Sequence, residues 1–383
     1  MVGYGFMGAA HSQAWRTAAH VFDLPLAPRM VALSGRSAGA ARAAADQLGW
    51  AEAHTDWRAL IGRPDIQLID ICTPGDTHAQ IAIAALDAGQ HVLCEKPLAN
   101  TLAEAQDMAA AAARARTRGV RSMIGFNYRR VPAIALARQL VSAGQLGQIR
   151  QVRASYLQDW LADPAFPLTW RLQKEHAGSG ALGDLGSHVV DLAQYLTGQL
   201  ISGVCGVAVT FVPERPLPGG SGPGTTGAAT GPVTVDDAVA FTARLESGAL
   251  ATFEATRFAS GRKNALRIEV YGARGSLAFD LERLNELEFC DNTEGSAGST
   301  GQATAGFRRI LVTEPGHPYL SAWWPPGHVL GWEHTFTHQV RDLVLAIGQG
   351  TDPEPSFADG LQVQRVLEAV SASAARDSRW TPV

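Results

Sequence analysis

Residues 67–99 read QLIDICTPGDTHAQIAIAALDAGQHVLCEKPLA. Two short apolar runs, 67–73 and 91–95, flank an Ala- and Ile-rich stretch with helical spacing. A strand, a helix and a strand in that order imply parallel strands joined by a crossover. Working outward, the same alternation repeats: MVALS from Met30, an Ala-rich helix to Leu48, a helix ending at Arg116, and RSMIGF at 121–126. The pattern predicts a parallel, doubly wound sheet. One strand ends at Thr73 and Pro74 and the next at Glu95, Lys96 and Pro97. The carboxyl ends of parallel strands are where such sheets bind ligands. A lysine held there between Glu and Pro is a better site candidate than a snorkelling surface lysine.

The chain opens MVGYGFMGAAHSQAWRTAAHVF, in which Gly3, Gly5 and Gly8 spell G-x-G-x-x-G before an Ala-rich helix. In a dinucleotide-binding fold these glycines make the tight turn, admit the pyrophosphate to the backbone and let helix pack on strand. Residues 1–126 are therefore expected to form an α/β Rossmann domain. After the second strand, where an acid would hold the ribose of NAD, the chain has Leu33-Ser34-Gly35-Arg36-Ser37. Arg36 between two hydroxyls can accept a 2′-phosphate, or it can stack on adenine or face solvent. Only Met1 and Val2 precede Gly3, too few for a strand of ordinary length, so the first strand reads as truncated. The expectation is that the natural product starts upstream and that Met1 is a misplaced start.

A chain of 383 residues has room for about two domains. Its 46% hydrophobic and 18% charged residues suit a globular protein with a filled core. A formal net charge of -4 and a pI near 6.3 argue against nucleic acid as a partner. No long uncharged apolar run or signal peptide is apparent, so no membrane partner is expected and the location is expected to be cytoplasmic. Cys72, Cys94, Cys205 and Cys290 are isolated, which predicts reduced thiols and no metal site.

Residues 127–383 change character. A helix from about Pro132 and a strand over 149–156 precede a loop, Gln158-Asp159-Trp160 through Trp170-Arg171, rich in Trp, Pro and Asp. Such mixtures occur in sugar pockets and in ordinary surface loops. The runs VCGVAVTFV, AVAFTARL, ALATFEAT, ALRIEVYG, SLAFD and ELEFC follow, several joined by Gly-containing turns. They predict an α+β domain with a large, mostly antiparallel open sheet, interrupted by loops over 213–232 and 293–306. Two helices, 332–347 and 357–377, close the chain. Before the sheet stands GSGALGDLGSHVVDLAQYL, residues 178–196. At helical spacing Leu185, Val189, Leu192 and Leu196 share an apolar face, while Asp184 and His188, four apart, can point into one place. That pair is either a proton-handling unit or a solvated pair or cap; the spacing alone leaves both open.

The pieces GYGFMGAAH, CTPGDTHA, CEKPLA and GSGALGDLGSHVVDLAQYLTG, in this order, resemble the Gfo/Idh/MocA oxidoreductase family over nearly the whole chain. GFNYRRVPA, YLQDW, PLTWRLQK, VPERPL and SFADG are most similar to its levoglucosan dehydrogenase-like pyranose dehydrogenases. The resemblance implies an NAD- or NADP-dependent enzyme that interconverts a secondary alcohol and a ketone on a pyranose, anhydrosugar or cyclitol. It implies that Lys96 orients the hydroxyl, with a cis peptide to Pro97, and that His188 is the base with Asp184 its partner. Gly3, Gly5, Phe6, Met7, Gly8, Thr73, Pro74, His78, Glu95 and Lys96 would hold the dinucleotide, with Ser34 and Arg36 at its ribose. Tyr128, Gln158, Trp160 and Arg171 would lie near the sugar, and the sheet's open face would make a homo-dimer or homo-tetramer. Two other readings differ in what they release. A non-catalytic dinucleotide-binding sensor would show ligand-induced stabilisation without turnover. A glycoside-cleaving relative would release an aglycone without net reduced cofactor.

Overall fold

The computed structural model describes residues 1–218, 229–292 and 305–383. Contacts divide it into two units, one of Met1–Arg130 with Leu330–Gln364, the other of Val131–Val329 with Arg365–Val383.

The first unit holds five short strands: β1 (Ala32–Ser34), β2 (Glu52–His54), β3 (Leu68–Ile71), β4 (His91–Cys94) and β5 (Ser122–Ile124). β1 pairs with β2, and β3 with β4 and β5, all in parallel. A single residue, Val2, joins the two sets by parallel bridges to Ser34 and Ile71. Its N–H donates to the Asp70 carbonyl at 2.7 Å and its carbonyl accepts from Cys72 at 2.8 Å. β2 had no counterpart in the sequence reading, because Glu-Ala-His is neither apolar nor alternating and its residues are only half-buried.

Helices α1 (Phe6–Val21), α2 (Ala38–Leu48), α3 (His78–Asp87) and α4 (Leu102–Arg116) connect these strands. α4 begins at a capping box, Thr101 accepting from the Glu104 N–H while Glu104 accepts from the Thr101 N–H. The unit is not continuous in sequence: by contacts it runs past the division expected at 126/127 to Arg130 and takes in Leu330–Gln364. Trp15 and Ala18 of α1 share a buried cluster with Phe336, Val340, Leu343 and Val344. The latter four lie on α8 (His334–Gln349), whose apolar face returns the chain to this unit.

The second unit is built on a nine-stranded sheet. Its strands are β6 (Ile149–Leu157), β7 (Ile201–Val209), β10 (Ala238–Leu245), β11 (Leu250–Thr256), β12 (Ala265–Gly272), β13 (Gly275–Asp280), β14 (Glu286–Asp291), β15 (Arg308–Leu311) and β16 (Thr381–Pro382). Their order is β15-β14-β13-β12-β6-β11-β10-β7-β16, and only the β6–β11 pair is parallel. β10 shows the alternation the sequence promised: Val239, Phe241, Ala243 and Leu245 are buried and Ala240, Thr242 and Arg244 are exposed. A small ribbon of β8 (Glu214–Pro216) with β9 (Thr230–Pro232) flanks the loop expected over 213–232, whose residues 219–228 lie outside the described ones. Of the loop expected over 293–306, residues 293–304 lie outside them too.

This unit also carries α5 (Pro132–Ser142), α6 (Lys174–Ala177) and α7 (Ser187–Thr197); α9 (Phe357–Ala374) begins in one unit and ends in the other. α7 is preceded by a π turn, Leu182–Gly186. Leu185, Val189, Leu192 and Leu196 are buried as expected, but so are His188 and Asp191 on the other faces. The helix lies between α5 and the strands β6 and β12, so it has no solvated side. Among the described residues, no helix is long and apolar enough to cross a membrane.

Candidate active site

The glycine-rich turn has the build of a phosphate cradle. Gly3 adopts φ +91°, and a Cβ there would meet the Cys72 carbonyl oxygen at 2.8 Å. A Cβ on Gly8 would meet the Gly3 carbonyl oxygen at 2.4 Å, while one on Gly5 would meet nothing within 4 Å. The first two positions thus demand glycine for packing, and the third leaves the backbone open to a ligand. Gly5 caps α1 without a side-chain hydrogen bond, and the first turn has no acid. Its N–H groups therefore suit an anion, so these residues fit a dinucleotide pyrophosphate. Phe6 projects from that turn, 70% exposed, and stacks on Trp332 at 5.4 Å. Met7 instead packs on the buried cluster. Ser34 is buried, Arg36 is exposed, and the Tyr4 ring fills the space a side chain at position 35 would need.

The Glu95-Lys96-Pro97 turn is braced from below. His11, 1% exposed, places Nδ1 2.9 Å from Asp70 Oδ1 and Nε2 3.0 Å from Glu95 Oε1. With a carboxylate at each ring nitrogen, both nitrogens donate, as an imidazolium does. Burial opposes that charge, but Asp70 outweighs it and holds the His11 pKa well above its usual value. For Asp70 burial acts upward, and His11 with the Trp15 N–H, 2.7 Å away, carries the net shift below the carboxylate range. Burial pushes the Cys72 thiol up to about 12, so it stays protonated. Glu95 Oε2 accepts from the Lys96 N–H at 3.3 Å, and the Lys96–Pro97 peptide is cis, as the resemblance implied.

His78, expected at the cofactor, braces two strand ends. It is buried, with Nε2 2.9 Å from the Thr73 carbonyl and Nδ1 3.1 Å from the Pro97 carbonyl, so it ties the ends of β3 and β4 together. Glu95 likewise spends its carboxylate on His11 rather than facing outward. Thr73 and Pro74 lie at the carboxyl end of β3, Thr73 Oγ1 accepting from Thr77 Oγ1 at 2.7 Å. Tyr128, expected near a sugar, is buried in this unit with its hydroxyl accepting from Trp332 Nε1 at 3.4 Å.

In the second unit the π turn that carries Asp184 is held at its start by Asp236. The Asp236 carboxylate accepts from the Gly180 and Leu182 N–H groups at 2.7 Å each, and its carbonyl from Ala181 at 3.1 Å. Arg257, 1% exposed, donates from Nη2 to that same carbonyl at 3.1 Å. Burial holds the Arg257 pKa below the usual arginine range against the pull of Asp184, Asp236 and Asp237. Asp184 therefore stands in the field of a buried guanidinium. Short π segments recur at functional sites.

The Tyr156 ring meets the His188 ring edge-on at 5.9 Å. From there a hydrogen-bonded chain runs outward: Tyr156 hydroxyl to Asn264 Oδ1 at 2.6 Å, Gln158 Nε2 to the same oxygen at 2.8 Å, and Trp160 Nε1 to Gln158 Oε1 at 3.0 Å. Arg257 lies over the Trp160 ring at 5.5 Å. Gln158 and Trp160 are thus linked through Asn264 to Tyr156, whose ring meets His188. Arg171 is exposed on the Trp170 face at 4.4 Å, while Leu161, Leu168 and Leu172 of the same loop form a small core with Val233 and Val235. Sequence reasoning missed His11, Asp236, Arg257, Asn264 and Trp332. The Asp-Asp doublet after Val235 and the Arg that ends an apolar strand at 257 were available signals.

Gly180 tests this arrangement, since a Cβ there would fall 1.7 Å from the Asp236 carbonyl oxygen and 2.7 Å from Arg257 Nη2. Gly180→Ala is expected to destabilise by about 1–3 kcal/mol, the range for overpacking, and to lower turnover. Gly39→Ala, in α2 with nothing within 4 Å, is the control and should be neutral or stabilising. Urea midpoints of the two variants check this; equal midpoints would contradict it.

Residues 1–126 match the oxidoreductase family with NAD-binding Rossmann fold, and residues 134–278 the GFO/IDH/MocA C-terminal domain. Levoglucosan dehydrogenase of Pseudarthrobacter phenanthrenivorans is 42% identical over 396 aligned positions, covering 100% of this chain and 97% of that protein. The crystal structure of an oxidoreductase domain protein from Kribbella flavida is 63% identical, with a TM-score of 0.94 over 100% of this chain and 97% of that one. A levoglucosan dehydrogenase in complex with NADH and levoglucosan is 41% identical, with a TM-score of 0.91 over 100% and 98%.

Proposed function

Because the chain belongs to the Gfo/Idh/MocA oxidoreductase family, we propose that it is a dehydrogenase acting on a ring hydroxyl of a pyranose or anhydrosugar, with cyclitols as the alternative class. The observation that carries this reading is the polar and aromatic wall of Tyr156, Gln158, Trp160 and Asn264 beside the His188 imidazole. Ring faces and hydrogen-bonding amides suit a polyhydroxylated substrate, and a buried imidazole beside them suits removal of one hydroxyl proton. The 42% identity to a levoglucosan dehydrogenase makes anhydrosugars the first substrates to try.

The nicotinamide supplies the hydride chemistry when bound. In this reading His188 takes the hydroxyl proton, Asp184 orients the imidazole, and Lys96 orients the hydroxyl and assists its deprotonation. Gly3, Gly5 and the first turn of α1 hold the pyrophosphate. The exposed sheet face, with Val207, Val209 and Leu250 at its surface, is where a homo-dimer or homo-tetramer would form.

The test is turnover of both cofactors, read by absorbance of the reduced nicotinamide, with anhydrosugars, pyranoses and inositols. Turnover on none of them, with a dinucleotide-induced rise in melting temperature, would mark a sensor instead. Over 34–37 no carboxylate stands to repel a 2′-phosphate, and Arg36 is exposed. NADP is therefore expected to bind at least as well as NAD. Arg36→Ala should weaken NADP by about tenfold, the scale of one charge-assisted hydrogen bond, and leave NAD unchanged. Fluorescence titration checks this, and an NADP dissociation constant well above that of NAD would contradict it.

A further inference from the structure

We infer that Asn264 is a specificity-determining residue, its amide locked so that the N–H groups face the sugar and select an acceptor oxygen on it; this rests on the sugar dehydrogenase reading above. One group in this chain of hydrogen bonds, the Trp160 indole, has an unambiguous role. Indole Nε1 is only ever a donor, so the atom 3.0 Å from Trp160 Nε1 is the Gln158 oxygen. The other end of that amide is then NH₂, and the atom it meets at 2.8 Å must accept. That atom is therefore Asn264 Oδ1, whichever way an isolated amide would have been drawn. The Tyr156 hydroxyl, 2.6 Å from the same oxygen, donates to it as well.

Asn264 Oδ1 thus accepts two hydrogen bonds, and its rotation is fixed by a relay that begins at Trp160. What remains is Nδ2 with two N–H groups, and no described residue accepts from it. Asn264 is only half-buried, so these donors are accessible. The Tyr156 side chain spans from the His188 imidazole to the Asn264 amide. A sugar whose reacting hydroxyl is at His188 can therefore present another of its oxygens to Nδ2. An N–H of this amide can donate to an ether oxygen as well as to a hydroxyl oxygen, and is left unpaired when that oxygen is missing.

The experiment compares wild type, Asn264→Asp, Asn264→Ser and Trp160→Phe on one turned-over sugar and its monodeoxy analogues, with circular dichroism and melting temperature as checks on folding. Asn264→Asp replaces the donors by an acceptor and is expected to lower kcat/KM about 10- to 100-fold, mainly through KM. Wild type should discriminate against one deoxy position, and Asn264→Ser should lose that discrimination. Trp160→Phe keeps the ring but frees the relay, and is expected to raise KM by an intermediate factor. Folded variants of Asn264 that keep wild-type KM and wild-type discrimination would overturn the inference while the dehydrogenase reading stands. A wild type that turns over none of the sugars would overturn both.

Discussion

His188→Ala is expected to lose about 10²–10⁴-fold in turnover while binding NADH as the parent does, the usual cost of removing a positioned base. The imidazole is 5% exposed, beside Tyr156 and on a helix buried on every side, so water cannot readily take its place. The dinucleotide cradle lies in the other unit and contains no part of α7, which is why binding should survive. Lys96→Ala is expected to fall in the same range. Asp184→Asn should lose less, because the base survives with poorer orientation. Single-turnover rates alongside NADH titrations check all three, and wild-type turnover by His188→Ala near neutral pH would contradict the assignment.

His11→Ala is expected to destabilise the protein by about 3–5 kcal/mol at neutral pH, the effect of stranding buried charges. Asp70 and Glu95 are 1% and 5% exposed, and His11 is the cation between them. The pH dependence has a definite sign. The folded His11 pKa lies above its unfolded value, so its contribution is full below about 6.5 and fades as pH rises through the folded value. Asp70 is depressed, so its contribution is present above about 3.9 and is lost as pH falls through its folded value. The difference between His11→Ala and wild type should therefore be largest near neutrality. It should narrow in acid, where Asp70 protonates, and in alkali, where wild type loses the imidazolium. Urea unfolding across pH measures this, and a deficit below about 1 kcal/mol at neutral pH would contradict it.

Strands β1, β3, β4 and β5 of the first unit were legible because each lies in an apolar run closed by Gly, Pro or a polar cluster. β2 was not, since its place is set by pairing with β1 and not by its own residues. In the second unit the strands with clean alternation were read almost to the residue, as in β10 and β12. β15 escaped because Arg-Arg-Ile-Leu has no period-two pattern.

Lys96, Asp184 and His188, the residues proposed to carry the chemistry, were named from short, recognisable runs. The residues that support them come from far along the chain. His11 meets Asp70 across 59 positions and Glu95 across 84, and Gln158 meets Asn264 across 106. No local pattern encodes such pairs. The bonds of His78 were hidden for a related reason: a motif gives a residue's neighbours in sequence, whereas its ring nitrogens meet carbonyls on two strand ends. The helical reading of 178–196 did not include the π turn, which Asp236 holds from outside the segment.

Hydride transfer from a sugar carbinol carbon is measured directly by isotope transfer. The enzyme is incubated with oxidised NAD and a sugar substrate, levoglucosan first, carrying deuterium at its carbinol carbons. A ketone sugar and reduced nicotinamide are expected in equal amounts, with one deuterium at nicotinamide C4. Consumption of the sugar with no deuterium in the nicotinamide, or bond cleavage without net reduced cofactor, would contradict it.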